Sequence, residues 1–379
     1  MTKQGTAANK GRNKSRGKEG RKGPSRLVHA AKAGKKNGGT SVKRKTLLWA
    51  LAAVLFFVAL QAWGWLRDNR LPNFSASADI YVCDTTTVEG VIAQIKEQCD
   101  IRLEKSLRRV FERKKVEQYL SPGHYRIEPQ HSSVYLARML NNCWQSPVKL
   151  TLAGSLRLKS EVAARISSQL QLSYEEVLGA LDDAPFLRQF GFSPQTVCAM
   201  IIPDTYEIWW DVSLYELFER FYKEYKRFWN EERCAQASAI KLKPLEVSIM
   251  ASIVRCESNH IPEYPQLAGV YLNRLRRGMK LQADPTIAFC YDFQLNRVLS
   301  KHLKVKSPYN TYIHKGLPPG PICCPTKAAI DAVLKADTAS GFLYFCASEQ
   351  FDGTHKFAKS YKEHQLNARA FQKALDRRN

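Results

Sequence analysis

The hydrophobic positions of this 379-residue chain begin with one long uninterrupted apolar run. The run "LLWALAAVLFFVALQAWGWL" extends from Leu47 to Leu66 and contains one clearly polar residue, Gln61. Twenty helical residues at about 1.5 Å each cross a hydrocarbon layer of roughly 30 Å. The pattern predicts a transmembrane helix. A cleaved signal peptide is the alternative, but the length of the run and its distance from the N-terminus favour an uncleaved anchor.

Beyond the anchor, short strand-like and helix-like segments alternate, which predicts an α+β fold. Among these segments, "SADIYVC", "VKLTLAG" and "GFLYFCA" read as strands, and "TVEGVIAQIKEQ" and "KSEVAARISSQL" as helices. The stretch "SLYELFERFYKEYKRFWNEERCAQA" predicts one long helix with an aromatic core stripe. Next come a helix that starts at Pro244 and a second helix that ends at Gly278. "MKLQADPTIAFCY" predicts a strand and turn, and "SPYNTYIHKGLPPGPICCP" a long ordered loop.

The composition shifts divide the chain into five predicted parts. These are a disordered basic tail (1–46), the transmembrane helix (47–66), a linker (67–77), an α+β region (78–243) and a second α+β domain (244–379). The proposed boundary before residue 244 rests on the helix start at Pro244.

The charge is concentrated before the anchor. Residues 1–45 hold fifteen basic residues and one acidic residue, which gives +14 of the formal +23 of the whole chain. The positive-inside rule therefore predicts a cytoplasmic N-terminus and an exported remainder after Arg67. Contact with anionic lipid explains the tail better than nucleic-acid binding, for which charge alone is weak support. We predict no nucleic-acid partner.

All ten cysteines follow the anchor, in the part of the chain predicted to be exported. An oxidising compartment permits disulfides, but the spacings do not give the pairing. There is no CxxC pair and no Cys/His cluster with the spacing of zinc ligands, and no P-loop or GxGxxG motif. The sequence predicts neither a metal site nor a cofactor.

Glu257 is the candidate for acid chemistry. It shares the apolar stripe of its predicted helix with Val247, Met250 and Val254, and it lies in the last turn. Burial and the negative end of the helix dipole would both raise the carboxyl pKa, as a general acid working near neutral pH requires. Pattern alone favours the alternative, a frayed helix end with this carboxylate in water.

Two other catalytic interpretations are weaker. A cysteine hydrolase would use Cys256 with His260 or His302, but one cysteine beside a helix end shows neither an oriented imidazole nor an oxyanion hole. A zinc hydrolase lacks any HExxH-type ligand spacing.

Three stretches resemble, in order, the motifs of the YceG/MltG endolytic murein transglycosylases. They are "MASIVRCESNHIPEYPQLAGVYLNRLRRGMKLQADPTIAF", "SPYNTYIHKGLPPGPI" and "GTHKFAKSYKEH". The upstream "IPDTYE" and the N-terminal anchor are similar to that family as well. The similarity runs from about Ile80 to the C-terminus, and residues 200–379 most resemble members from Bacteroidetes.

The resemblance implies a single-pass inner-membrane protein whose periplasmic part cuts peptidoglycan glycan strands internally and leaves 1,6-anhydro-N-acetylmuramic acid ends. It implies a LysM-like subdomain between Ile80 and Leu242 and a catalytic domain over residues 244–379. The family's catalytic glutamate, which precedes Thr or Ser, falls on Glu257 before Ser258. Implied partners are glycan strands, inner-membrane lipid and, as candidates, peptidoglycan synthases.

The resemblance also suggests cleft residues with side chains suited to sugar hydroxyl and acetamido groups: Asn273, Gln282, Asp284, Thr286, Tyr309, Asn310 and Thr311. Asn273 could instead be a buried structural amide, and Asp284 a turn-forming residue before proline. His355 and His364 match the family's C-terminal pattern, and we expect structural hydrogen bonding from them.

The chain departs from the family at Arg255-Cys256, where many relatives carry acidic or lysine residues. A nearby arginine would lower a carboxyl pKa. Two alternatives therefore stay open: a catalytically silent wall-binding scaffold, and a lysozyme-like hydrolase that uses Glu257 together with Asp284.

Overall fold

The computed structural model describes residues 39–154 and 156–378, which form a mixed α+β structure. The chain divides into two compact units, residues 1–62 and 63–379. The predicted α+β class and the N-terminal apolar helix are both present.

Helix α1 (Gly39–Asn69) contains the apolar run. Its part Lys43–Asn69 has a mean hydropathy of 2.0 and is long enough to cross a membrane. The large apolar side chains of the run are exposed, as Trp49 at 77% illustrates. The predicted disordered tail was too long, since residues 39–46 are helical and contain no proline to stop the helix. The remainder of that tail, residues 1–38, lies outside the described residues.

The segment predicted as a linker, residues 67–77, is partly helical and packed. Asp68 is 2% exposed, accepts a hydrogen bond from Ser106 at 2.5 Å and forms an ion pair with Arg109 at 2.8 Å. Phe74 is fully buried in the first core cluster. These contacts fix the segment to the domain that follows it.

The first core cluster, around residues 74–140, lies between a two-stranded antiparallel sheet and helices. Its elements are β1 (Ala78–Val82), α2 (Val88–Gln98), α3 (Glu104–Arg113), α4 (Val116–Tyr119), β2 (Gly123–Ile127) and α5 (Ser133–Asn141). Ala78 pairs with Ile127 in this sheet, and Ser132 caps α5 by accepting from the Tyr135 amide. The strand β1 and the helix α2 were predicted.

The second core cluster is built around β3, which pairs with β4 in antiparallel register, and a set of helices. Its elements are β3 (Val148–Thr151), α6 (Lys159–Ser167), α7 (Tyr174–Asp182), α8 (Ala184–Arg188), β4 (Thr205–Ile208) and α9 (Leu214–Phe228). The single long helix predicted from residue 213 onward was wrong. It ends at Phe228, and the Asn230 side chain starts a new helix by accepting from the Arg233 amide at 2.9 Å.

The third core cluster holds most of the remaining elements. They are α10 (Glu231–Ala239), α11 (Pro244–Glu257), α12 (Tyr264–Arg276), α13 (Asp284–Phe289), α14 (Lys327–Leu334), β5 (Tyr344–Ala347) and β6 (His355–Ala358). The terminal helix α15 (Tyr361–Asp376) packs on β5 and β6 and has no buried residue. The strand predicted within "MKLQADPTIAFCY" was wrong, because Asp284-Pro285 opens helix α13 with residues suited to a first turn. Ile202 and Phe228 also belong to this cluster, and the domain boundary near Lys243 stays a prediction.

Helix α12 packs closely against the segment that follows α14 because Gly269 has no side chain at the point of contact. A Cβ on Gly269 of α12 would stand 2.1 Å from the Asp337 carbonyl oxygen, far inside contact distance. The Asp337 amide in turn donates to the Pro265 carbonyl at 2.9 Å, so this backbone cannot easily retreat.

We therefore expect Gly269→Ala to lower the free energy of unfolding by about 2 kcal/mol or more. Gly179→Ala is the matched control, because this helical glycine of α7 is exposed and has no heavy atom within 4 Å. The control should be neutral or more stable by up to about 1 kcal/mol. Urea unfolding of the full chain in detergent, followed by tryptophan fluorescence, measures both. Equal stability of the two variants would contradict the packing argument.

Candidate active site

Glu257 is the last residue of α11, a helix buried along most of its length. Pro244 begins the helix, and the extended backbone of Ser258 (φ −143°, ψ 152°) ends it. The preceding stripe residues Val247, Met250 and Val254 are fully buried. The helix therefore delivers a carboxyl group at the edge of the third core, as the apolar stripe predicted.

The carboxyl group of Glu257 is half-buried and lies against α12. The Tyr271 hydroxyl, itself on a 1% exposed side chain, donates a hydrogen bond to Glu257 Oε1. Glu257 Oε2 accepts no hydrogen bond from the part of the chain that the structure describes, and it is not sealed from solvent. One oxygen is thus fixed by the protein, and the other is available to a ligand.

The charges of Asp284 and Arg274 shift the pKa of this carboxyl group in opposite directions. Burial raises the pKa of Glu257 to about 7, and the negative charge of Asp284 adds to the rise. The Tyr271 hydrogen bond and the positive charge of Arg274 lower the pKa against that trend. A substantial fraction of Glu257 is therefore protonated at neutral pH, which is the state a general acid needs.

Arg274 is a buried charge held by backbone carbonyls. It is 8% exposed and donates through Nε to the Leu343 carbonyl and through Nη1 to the Leu281 carbonyl, each at 2.6 Å. Its guanidinium carbon lies 5.3 Å from the centre of the Tyr344 ring. These contacts keep the cation near the carboxyl group without a direct ion pair to it.

Asp284 opens α13 and is exposed. Its Oδ1 accepts a hydrogen bond from the Tyr312 hydroxyl at 2.5 Å. Burial, together with the Asp284 hydrogen bond and charge, raises the pKa of Tyr312. The structure brings Glu257 and Asp284 into one electrostatic group, each with a tyrosine hydroxyl on it, and the substrate role of Asp284 stays a prediction.

Two predicted cleft residues, Thr286 and Thr311, are buried and bonded to each other at 2.9 Å between their hydroxyl oxygens. The Thr311 hydroxyl also accepts from the Ala283 amide at 2.9 Å. Gln282, in contrast, is exposed and has a positive φ of 50°. The threonines therefore hold the Ala283 backbone between Gln282 and Asp284, while the Gln282 side chain is exposed.

The two predicted asparagines have their side chains occupied by the protein. Asn310 is fully buried and donates to the carbonyls of Leu303 and Val305. Asn273 is 9% exposed and donates to the carbonyls of Thr338 and Phe342. These contacts match the structural-amide alternative for Asn273.

Tyr309 lines a cavity to which Glu257 does not contribute. Its half-buried ring lies 4.6 Å from the Phe289 ring, and it lines a cavity together with Arg157, Asp182 and Gln195. Burial raises the pKa of Tyr309 to about 12. A role in the same cleft as Glu257 stays a prediction for this residue.

The unusual pair beside the acid points away from it. Arg255 donates to the Asn259 side chain at 3.0 Å, and its charge acts on Tyr264 and not on the Glu257 carboxyl. Arg274 is the arginine whose charge reaches Glu257. The concern that Arg255 would weaken the acid therefore does not apply to this geometry.

Cys256 lacks the imidazole that a cysteine hydrolase requires. Within the described residues, neither His260 nor His302 makes a hydrogen bond to its thiol. The Cys256 thiol instead neighbours the buried thiol of Cys323.

The two C-terminal histidines differ in their contacts. His355 donates through its backbone amide to Glu263 Oε1 at 2.8 Å and contacts Glu263 Oε2 through Nδ1 at 2.9 Å. His364 stacks on Tyr344 with ring centres 5.5 Å apart, and its Nδ1 is buried with no hydrogen-bond partner in the described part of the chain. Structural hydrogen bonding thus holds for His355, and burial lowers the pKa of His364.

Three functional candidates escaped the sequence interpretation: Tyr271, Arg274 and Tyr312. The first two lie on the buried face of α12, where an arginine and a tyrosine hydroxyl both need polar partners. The sequence could have indicated both residues, because a charged residue within an apolar stripe usually contacts another polar group. Tyr312 directly follows the predicted Asn310-Thr311 pair.

Curated proteins of two bacteria are similar in sequence to this chain. The endolytic murein transglycosylase of Bacillus subtilis is 25% identical over 303 residues, covering 76% of this chain and 83% of that protein. The endolytic murein transglycosylase of Streptococcus pneumoniae strain D39 is 26% identical over 281 residues, covering 65% of this chain and 50% of that protein.

A crystal structure of a yceG-like protein from Listeria monocytogenes matches with a TM-score of 0.52 and 23% identity, covering 76% of this chain and 98% of that chain. It supports a common fold. The model of the YceG-like family matches residues 80–370, which is most of the chain and includes every element of the site described above. This chain belongs to the YceG-like family.

Proposed function

We propose that this protein is a membrane-anchored endolytic lytic transglycosylase that cleaves nascent peptidoglycan strands between N-acetylmuramic acid and N-acetylglucosamine. Its relatives carry the name endolytic murein transglycosylase. The observation that carries the proposal is the half-buried Glu257 carboxyl, whose pKa is raised to about 7. A carboxyl group in that state can both give and take a proton near neutral pH.

The reaction needs one acid that becomes a base. Glu257 protonates the bridging oxygen as the bond from C1 of N-acetylmuramic acid to that oxygen breaks. The resulting carboxylate then takes the proton of the C6 hydroxyl of the same sugar as its oxygen bonds to C1. The product is a 1,6-anhydro end, no water is consumed, and Glu257 ends protonated for the next cycle.

The neighbours of Glu257 suit the two halves of this cycle. Asp284 and burial favour the protonated form before the bond breaks. The Tyr271 hydrogen bond and the Arg274 charge stabilise the carboxylate that exists afterwards. Because the raised pKa lies near neutral pH, neither protonation state of Glu257 is strongly favoured there.

The proposal extends to the rest of the chain. Helix α1 would anchor the protein in the inner membrane with a cytoplasmic N-terminus, supported by its apolar length and the basic residues before it. The first core cluster, residues 74–140, is the candidate for the LysM-like peptidoglycan-binding subdomain. Glycan strands are the proposed substrate, with peptidoglycan synthases as candidate partners.

Glu257→Gln should lower the rate of anhydro-end formation from murein sacculi by about 10²–10⁴-fold, because the variant cannot transfer the proton. The glutamine oxygen can still accept from Tyr271, so the thermal unfolding midpoint should not fall. Mass spectrometry of released muropeptides measures the products. Full activity of this variant would refute the role of Glu257.

The same assay separates the alternatives. Lysozyme-like hydrolysis would give reducing ends in place of anhydro ends, and Asp284→Asn would stop their formation. Binding of sacculi without any product from the unaltered protein would indicate a silent scaffold.

The pH dependence should respond in opposite directions to two substitutions. Activity requires protonated Glu257, so kcat/KM should fall as pH rises through its pKa. Tyr271→Phe removes an influence that lowers this pKa and should move the midpoint to higher pH, whereas Asp284→Asn should move it to lower pH.

Tyr264→Phe is the matched control for this experiment. It lies on the same helix, and its hydroxyl donates to the Ser258 carbonyl at 3.0 Å and not to Glu257. Its midpoint should match that of the unaltered enzyme. A downward shift in Tyr271→Phe would contradict the assigned hydrogen bond.

The predicted topology has a direct test. A β-lactamase fused after Asn379 should protect cells against ampicillin, because that reporter acts only outside the cytoplasm. The same fusion without residues 47–66 is the control and should give no protection. Protection restricted to an N-terminal fusion would reverse the proposed orientation.

A further inference from the structure

Two adjacent cysteines in the loop after α13 face two different thiols. Cys323 and Cys324 are 1% and 2% exposed. The Cys323 thiol neighbours Cys256, and the Cys324 thiol neighbours Cys198. Four of the ten cysteines are therefore arranged as two pairs, although they come from three separated stretches of sequence.

The first pair is held in register by contacts to α11. The Ile322 amide donates to the Ser252 hydroxyl at 3.0 Å, and the Cys323 thiol donates to the Ser252 carbonyl at 3.4 Å. Ser252 lies one turn before Cys256 on the same helix. These bonds place the Cys323 side chain beside the end of the helix that carries Glu257.

The second pair is held by the second core cluster. The Cys324 amide donates to the Leu156 carbonyl at 2.8 Å, and Cys198 lies in the 3₁₀ turn Val197–Ala199. Cys198 and Cys324 pack in the same apolar cluster. One covalent bond at each pair would join the loop to both the second and the third core clusters.

The chemistry of these pairs favours oxidation over metal binding. Within residues 39–154 and 156–378, no group of three or more His, Cys, Asp or Glu residues could hold a metal ion. Neighbouring thiols can form a disulfide when their sulfur atoms close to about 2.05 Å. The neighbouring Cys324 thiol and the charge of Lys159 lower the pKa of Cys198, which favours the attacking thiolate.

We propose that Cys256–Cys323 and Cys198–Cys324 form two disulfide bonds when the exported domain folds. In each case a thiolate attacks an external disulfide, and the second protein thiolate then displaces the mixed disulfide. The protein loses two electrons and two thiol protons per bond, and the external disulfide is reduced to two thiols. The inference rests on the proposed export of residues 67–379 and is independent of the lytic activity.

The bonds would tie the loop that carries Tyr309 to Tyr312 to the end of α11. Cys256 directly precedes Glu257, so the first bond fixes the distance between the acid and the Asp284–Tyr312 side of the site. The departure from the family pattern at Cys256 then has a structural purpose, because it supplies the partner for Cys323.

Peptide mapping of the full chain tests the pairing. Protein isolated from membranes is alkylated, digested with trypsin without reductant and analysed by mass spectrometry. Cys323 and Cys324 share one tryptic peptide, so the expected species is three linked peptides that contain Cys198, Cys256 and this pair. Reductant should separate the three. Alkylation of all four thiols, or a Cys323–Cys324 bond, would overturn the proposal.

An arm with purified protein removes the dependence on export. The full chain is fully reduced in detergent and reoxidised with glutathione disulfide, and the same two bonds should form. A different pairing, or free thiols at these four positions after reoxidation, would also overturn the proposal. Failure of anhydro-end formation in either preparation would refute the proposed enzyme activity and would not bear on the disulfides.

Variants assign each bond. Cys256→Ser should free Cys323 for alkylation and leave the Cys198–Cys324 bond intact. Cys198→Ser should free Cys324 and leave the Cys256–Cys323 bond intact. Each should lower the unfolding midpoint of oxidised protein by roughly 5 °C or more, with no such effect on reduced protein. Cys346→Ser is the control, because the groups that act on that thiol are Glu349 and Lys356 and not another cysteine. Equal effects on oxidised and reduced protein would contradict the bonds.

Discussion

The site depends on the burial of one carboxyl group at the end of a buried helix. Because α11 packs its apolar face against the core, its last residue is placed at the edge of that core. Glu257 is therefore held against Tyr271, where loss of hydration raises its pKa. Asp284, Tyr271 and Arg274 then adjust that pKa.

The arrangement has a cost in stability, and its sign follows from the two pKa values. The native pKa of about 7 lies above the ordinary 4.5, so the folded state binds more protons than the unfolded state between these values. Stability from this group falls as pH rises through that window, by on the order of 3 kcal/mol in all. A residue that weakens the fold at neutral pH is expected where function selects it.

The sequence predicted much of this structure, for reasons that particular residues make clear. Helices α11 and α12 were predicted because Pro244 and Gly278 mark their ends and an apolar stripe marks their faces. The position of Glu257 on the buried stripe was predictable for the same reason. Helix α13 was missed because Asp284-Pro285 reads equally as a turn and as a helix start.

The partners of Glu257 were not predictable from spacing. Tyr271 and Arg274 reach it from another helix, and Tyr312 reaches Asp284 across 28 residues of sequence. The thiol pairs show the same limit, because Cys198 and Cys324 meet only after the second core has formed. Local pattern identifies which residues are buried, whereas tertiary packing decides which of them meet.

The most direct test is a titration of the Glu257 carboxyl itself. Protein labelled with ¹³C at glutamate side-chain carboxyls can be followed by NMR against pH, and the Glu257 signal is the one absent from Glu257→Gln. A midpoint near 7 would support a buried acid poised for proton transfer. A midpoint near the ordinary value of 4.5 would contradict it, because the carboxyl would then be fully ionised at neutral pH.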